Sequence, residues 1–213
     1  MIITYHGGEF FKIISGDTTI AINPVSKDSK IKTTHFGADI AIISLNDKDF
    51  NGVEQLSRGE KEPFVISGPG EYEAKKVFVK GFQSVSEYKE QKRINTIYSI
   101  MLEGINLVFL GALSLKKLNN DTKEALGDID ILFTPIGGGG VLAASDARAL
   151  AVELEPKIII PMHYGEIENS GKNKALEEFL KEDGAENGKP IDKFTIKKKE
   201  LEGKEEEVVI LNS

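Results

Sequence analysis

Asp47 and Asp49 stand two residues apart just beyond a nearly continuous apolar run. Carboxylates at that spacing on an extended loop can both turn toward one cation, although Asp-x-Asp loops are commonly solvated turns. The chain has three histidines, and His163 has the strongest setting of them. It closes the run Ile158-Ile159-Ile160-Pro161-Met162 and precedes Tyr164-Gly165. A polar residue that ends a buried strand points into the space above a sheet edge, where ligands collect. A hydrogen-bonded structural histidine fits that position equally well. His6 ends an apolar segment beside Gly7-Gly8, so a cleft and the plain surface are both open to it. His35 sits in a loop and has no comparable setting. Glu71 and Glu73 follow the turn-forming stretch Ser67-Gly68-Pro69-Gly70, where a functional loop and ordinary turn geometry explain them alike. The glycines at 137–140 could present backbone N–H groups to an anion. They lack the Lys-Ser/Thr of a phosphate loop and the spacing of a dinucleotide fingerprint. No serine has a nucleophile-elbow setting, which leaves little support for an acyl-transfer triad.

The elements that must position these residues follow from periodicity. Residues 2–5, 10–14, 18–22, 38–44, 63–66, 76–79, 96–102 and 105–110 are short, apolar and β-prone. The stretch 38–44 is apolar apart from Asp39, as expected for a strand buried on both faces. Glu103-Gly104 predicts a hairpin between 96–102 and 105–110. Helical spacing over 114–126 has Asp121 as a cap candidate, and 143–154 and 175–181 are also predicted helices. Residues 130–134 and 157–161 are predicted buried strands, and 194–198 and 207–211 close the chain as strands. Many strands followed by helix–strand alternation imply two sheets packed face to face with helices outside.

Composition narrows the classes. A length of 213 residues suits one domain, expected to span 1–213. With 27 basic and 34 acidic residues the formal charge is −7, so nucleic acid is a disfavoured partner. The lysine run 197–199 is the one obvious basic cluster and is expected to be a solvated strand edge. No apolar run approaches membrane-spanning length, and no secretory signal is expected at the start. The absence of cysteine removes disulfides and thiolate chemistry, and fits a cytoplasmic location.

In order along the chain, these motifs resemble the metallo-β-lactamase-fold superfamily, in particular a small bacterial subgroup of Zn-dependent hydrolases. The resemblance rests on Met1 to Phe10, Ala21-Ile22-Asn23-Pro24, Ala38-Asp39-Ile40 with Ile43-Ser44, and Gly68-Pro69-Gly70-Glu71-Tyr72-Glu73. Asn95-Thr96-Ile97-Tyr98, the segment 130–138 and Pro161-Met162-His163-Tyr164-Gly165 extend it to nearly the whole chain. It implies an α/β fold, an αββα sandwich of two mixed sheets. By position, the family's His-x-His-x-Asp-His signature falls on Leu45-Asn46-Asp47-Lys48-Asp49-Phe50. A further histidine falls on Gln83, a bridging aspartate on Ala112, and the last histidine on His163. Leucine, phenylalanine and alanine cannot donate electron pairs to a cation, whereas a catalytic zinc needs about three protein ligands and a two-metal site a bridging carboxylate.

Two functions follow from the resemblance. One is a non-catalytic binding or interaction protein that retains the scaffold, with no high-affinity cofactor and a small molecule or protein as partner. The other is a hydrolase of esters or phosphodiesters with one weakly bound divalent metal, zinc or manganese. It would be held by Asp47, Asp49, Gln83 and His163, with help from His6 or Glu71.

Overall fold

The computed structural model describes residues 1–32, 34–165, 173–184 and 189–213. β1 (Ile2–Tyr5), β2 (Phe11–Ser15) and β3 (Thr18–Ile22) form an antiparallel ribbon. β4 (Ile40–Ile43) and β5 (Phe64–Ser67) then add in parallel, and β12 (Phe194–Thr195) closes the far edge. The order of this sheet is β12-β1-β2-β3-β4-β5. The second sheet runs β13-β11-β10-β9-β8-β7-β6. In it β6 (Gly70–Ala74), β7 (Val77–Ser86), β8 (Arg93–Leu102) and β9 (Ile105–Phe109) pair antiparallel in succession. β10 (Ile131–Pro135), β11 (Ile158–Met162) and β13 (Glu207–Val208) continue in parallel. With α1 (Asn120–Leu126), α2 (Ala144–Leu154) and α3 (Lys174–Asp183), this is the expected αββα sandwich of two mixed sheets.

The burial pattern explains the layering. In β1 and β2, alternate residues Ile3, Tyr5, Phe11 and Ile13 point into one core shared by both sheets. β4, β9, β10 and β11 are buried at every position, and α2 covers β10 on its outer face. Each fully buried Val, Leu, Ile or Phe among them contributes about 2 kcal/mol on leaving water.

Local chemistry sets the helix ends. The Asn119 side chain accepts from Thr122 N, and that of Asn173 from Leu176 N, capping α1 and α3. Gly184, at φ 73°, ends α3.

Three sequence expectations need correction. The segment after Ser67 is a strand and not only a turn, because Gly70–Ala74 pairs residue for residue with β7. β7 and β8 each run ten residues, longer than predicted. Polar Ser84 and Asn95 did not read as strand, yet they face each other and bond, Asn95 Nδ2 donating to Ser84 Oγ at 2.8 Å. The helix predicted over 114–126 forms only from Asn120, and Asn119 rather than Asp121 caps it. Ser114 is instead tied into the sheet end, its N–H donating to Val85 O and its hydroxyl to Gly140 O.

β9, β10 and β11 run in the same direction. Gly111, Gly137 and His163 therefore emerge at one end of the second sheet. That end carries the candidate site.

Candidate site at the strand ends

His163 is placed by backbone before any side chain acts. Its φ is 57°, a left-handed conformation uncommon outside glycine. Its N–H donates to Gly8 O at 2.7 Å. The opposite wall is Gly137, where a Cβ would lie 1.8 Å from His163 O, so only glycine fits.

The imidazole Nδ1 lies 2.8 Å from Glu9 Oε1. Glu9 is almost fully buried. Asn23 Nδ2 donates to its second oxygen at 3.0 Å and to Ser44 Oγ at 2.8 Å. Ser44 N in turn donates to Asn23 Oδ1 at 2.8 Å. Burial pushes the Glu9 carboxyl up, and the bonds from His163 and Asn23 offset only part of that.

Rings close over this histidine. Phe50 stacks on it with centroids 5.9 Å apart, and Tyr88 meets it edge-on at 5.3 Å. Leu45, Phe50, Ala112 and Val141 form one buried apolar cluster, with Tyr88 packed against it. Three of the positions that the resemblance assigns to metal ligands, Leu45, Phe50 and Ala112, thus lie together and make a dry wall.

Asp49 borders the same wall and is bonded on both oxygens. Oδ1 accepts from Ser29 Oγ at 2.5 Å, and Oδ2 from Tyr88 Oη at 2.8 Å and Lys89 Nζ at 2.6 Å. Asp47 Oδ1 accepts from Asp49 N at 3.0 Å and Lys89 Nζ at 3.1 Å. Its Oδ2 accepts from Arg93 Nη1 at 2.9 Å. The Lys89 ammonium therefore bridges both aspartates. Burial raises each carboxyl, but the bonds from Asp49 N, Arg93 and Lys89 to Asp47, and from Lys89, Ser29 and Tyr88 to Asp49, outweigh it and hold both below the usual carboxylate range. The Tyr88 hydroxyl is pushed up by burial and by the bonded Asp49 carboxylate. Lys89 is likewise raised: burial lowers it, but its two aspartates prevail.

Tested against a metal, this donor set does not fit. Among the described residues no three of His, Asp and Glu come together to hold an ion. Both Asp47 oxygens and Asp49 Oδ2 are taken by the chain's own cations, and Asp49 Oδ1 by the Ser29 hydroxyl. A cavity of about 400 Å³ adjoins this end of the sheet, lined by Gly137, Gly138, Tyr164, Asn173, Lys174 and Glu178, among others. Asp47, Asp49 and His163 do not line it.

The other candidates lie elsewhere. His6 packs between Phe10 and Phe36 at 5.0 and 5.6 Å, and burial, then Lys12, lowers its pKa. Gln83 is exposed on β7 opposite Thr96. Glu71 is exposed on β6 and pairs across the strands with Lys80 at 3.1 Å. His35 is exposed. Sequence reasoning missed Glu9, Ser29, Tyr88, Lys89 and Arg93. Glu9 had a signal, a lone carboxylate directly before Phe10-Phe11. The polar stretch from Ser86 to Arg93 reads as an ordinary connection, and nothing in it marks Lys89 as the residue that turns inward.

Residues 2–163 match the family described as Beta-lactamase superfamily domain. A metal-dependent hydrolase of Lysinibacillus sphaericus is 28% identical over 198 residues, covering 77% of this chain and 85% of that protein. A Listeria innocua protein of the same description is 26% identical over 197 residues, with the same coverage. Among solved structures, a Zn-dependent hydrolase of the metallo-β-lactamase superfamily from Thermotoga maritima superposes with a TM-score of 0.78 at 25% identity. It covers 99% of this chain and 98% of its own. A metallo hydrolase from Ignicoccus hospitalis shares the fold, with a TM-score of 0.63 at 18% identity, covering 92% of this chain and 99% of its own.

Proposed function

From the premise that this chain belongs to the β-lactamase superfamily, we propose that it is a metal-free, non-catalytic member that keeps the scaffold for binding. The observation that carries this reading is the Lys89 ammonium held between Asp47 and Asp49 at 3.1 and 2.6 Å. A metal entering there would have to displace that ammonium and leave it beside a divalent charge. The apolar side chains of Leu45, Phe50 and Ala112 offer no ligands in return. On this reading the degenerate motif is one concerted replacement: ligands become hydrocarbon, and the remaining carboxylates are neutralised from within. The partner is a small molecule or a protein. An acidic chain disfavours nucleic acid, and a cysteine-free composition suits the cytoplasm.

A second reading retains hydrolysis with one metal in a reshaped site. Its support is that Tyr88 touches both retained candidates, through its hydroxyl to Asp49 and its ring to His163. The two are therefore near neighbours, and relatives are named metal-dependent hydrolases.

Metal analysis of protein purified without a metal-binding tag separates the two. The proposal expects zinc, manganese and iron far below one ion per chain, and no saturable zinc binding in calorimetry. Near-stoichiometric metal that disappears in the Asp49→Ala, His163→Ala double variant would establish the hydrolase reading instead.

A further inference from the structure

The opposite end of the parallel strands carries a second cavity, of about 420 Å³. Its floor is the outer face of the second sheet, where Phe78 lies directly across from Met101, and Lys80 from Ser99. Phe78 is 51% exposed and Met101 40%, a high exposure for large apolar side chains in adjacent register. One wall is the last turn of α1, including Leu126 and Gly127. The other wall holds Asp130, Lys157 and Lys198.

That wall is built and not incidental. Asp130 is 3% exposed, and its two oxygens take different ammoniums, Lys157 Nζ on Oδ1 and Lys198 Nζ on Oδ2, each at 2.7 Å. Asn106 N also donates to Oδ2 at 2.9 Å, fixing the carboxylate to the sheet. One buried carboxylate thus positions two half-exposed ammoniums and neutralises only one of them. Lys80 is balanced by Glu71, and the exposed Asp128 at the rim is the remaining acid of the lining. With Asp128 counted the charges of the lining balance, so what sets the site apart is two ammoniums fixed on one carboxylate beside an exposed apolar floor.

We propose that this cavity is a binding site for a small amphipathic carboxylate. The headgroup is shared by Lys157 and Lys198, and the hydrocarbon body lies along Phe78 and Met101. Charge-assisted bonds orient the head, and the flexible methionine adapts to the tail. The volume falls within the range of small-ligand pockets. This site is separate from the His163 end, and it stands or falls independently of the metal-free reading. It also gives Lys198, from the basic run at 197–199, a specific task.

Calorimetric titration of the whole protein with decanoate tests the site, with decanol and acetate as probes of tail and head alone. Decanoate is expected to bind saturably, at least about tenfold more tightly than either control. Lys198→Met, which leaves the Lys157–Asp130 bond in place, is expected to weaken decanoate about tenfold and to leave decanol unchanged. Met101→Asp, at an exposed position on the sheet face across from Asn106, should abolish binding. No saturable decanoate binding would overturn the proposal. So would equal affinity for decanol, or decanoate affinity that survives both substitutions.

Discussion

Aspartates bonded by the chain's own cations stand at both ends of the sandwich, and the two clusters are built differently. Asp130 stands at the start of β10 and is stitched into the sheet. Its N–H donates to Asn106 O, and its carboxylate accepts from Asn106 N. Its cations come from the start of β11 and from the turn after β12. Asp47 and Asp49 instead belong to a loop, and Lys89 comes from the short connection between β7 and β8. There Lys89 and Glu90 have φ of 56° and 59°, left-handed backbone that non-glycine residues adopt at a cost. At one end ion pairing serves the ladder. At the other it neutralises carboxylates beside the dry cluster of Leu45, Phe50, Ala112 and Val141. A carboxylate fixed by backbone should matter to folding, and one held mainly by side chains should matter less.

The largest expected effect is therefore at Asp130. Asp130→Ala leaves Asn106 N without its acceptor and two ammoniums without their partner. It should destabilise the protein by about 3 kcal/mol. Urea unfolding with a common slope measures it. A loss no larger than that of Asp49→Asn would break the distinction between the two clusters.

Lys89 comes next. Lys89→Met removes one cation from Asp47 and Asp49 but leaves Arg93, Ser29 and Tyr88 bonded to them. With its ammonium partly in water, the expected loss is about 1 kcal/mol. The variant also sharpens the functional side of the comparison. If Lys89 stands in for a cation, added zinc should raise the melting temperature of Lys89→Met and not that of the parent. An equal response in both would detach Lys89 from that role.

Much of this architecture was legible beforehand because apolar periodicity reports burial directly. The runs at 18–22, 105–110 and 157–161 became strands within a residue or so of their expected limits. Position in the family pattern groups Leu45, Phe50 and Ala112, which form one cluster, but it also puts Gln83 with them, and Gln83 is exposed on β7. What stayed hidden were polar residues whose burial depends on a distant partner. Glu9 is 154 residues from His163, and Lys89 is 40 from Asp49. Neither spacing leaves a local trace. β7 was read short for the same reason, since the Ser84 hydroxyl meets its Asn95 partner only once the hairpin has formed.

The smallest effect separates two carboxylates at the same end by sign. Asp49 is held below the usual range when folded, so its bonds contribute fully above the unfolded value of about 4 and are lost as pH falls through the folded value. The stability difference between the parent and Asp49→Asn should be flat near neutrality and shrink in acid, by about 1 kcal/mol or less. Glu9 is raised by burial, so the folded state takes up a proton more readily than the unfolded chain. Its contribution must therefore grow as pH falls and diminish as pH rises through the folded value. Relative to the parent, Glu9→Gln should lose ground in acid while Asp49→Asn gains it. Unfolding curves at a series of pH values read both slopes. Parallel slopes would mean that the Glu9–His163 pair and the Asp49–Lys89 pair respond to protons as one unit rather than two.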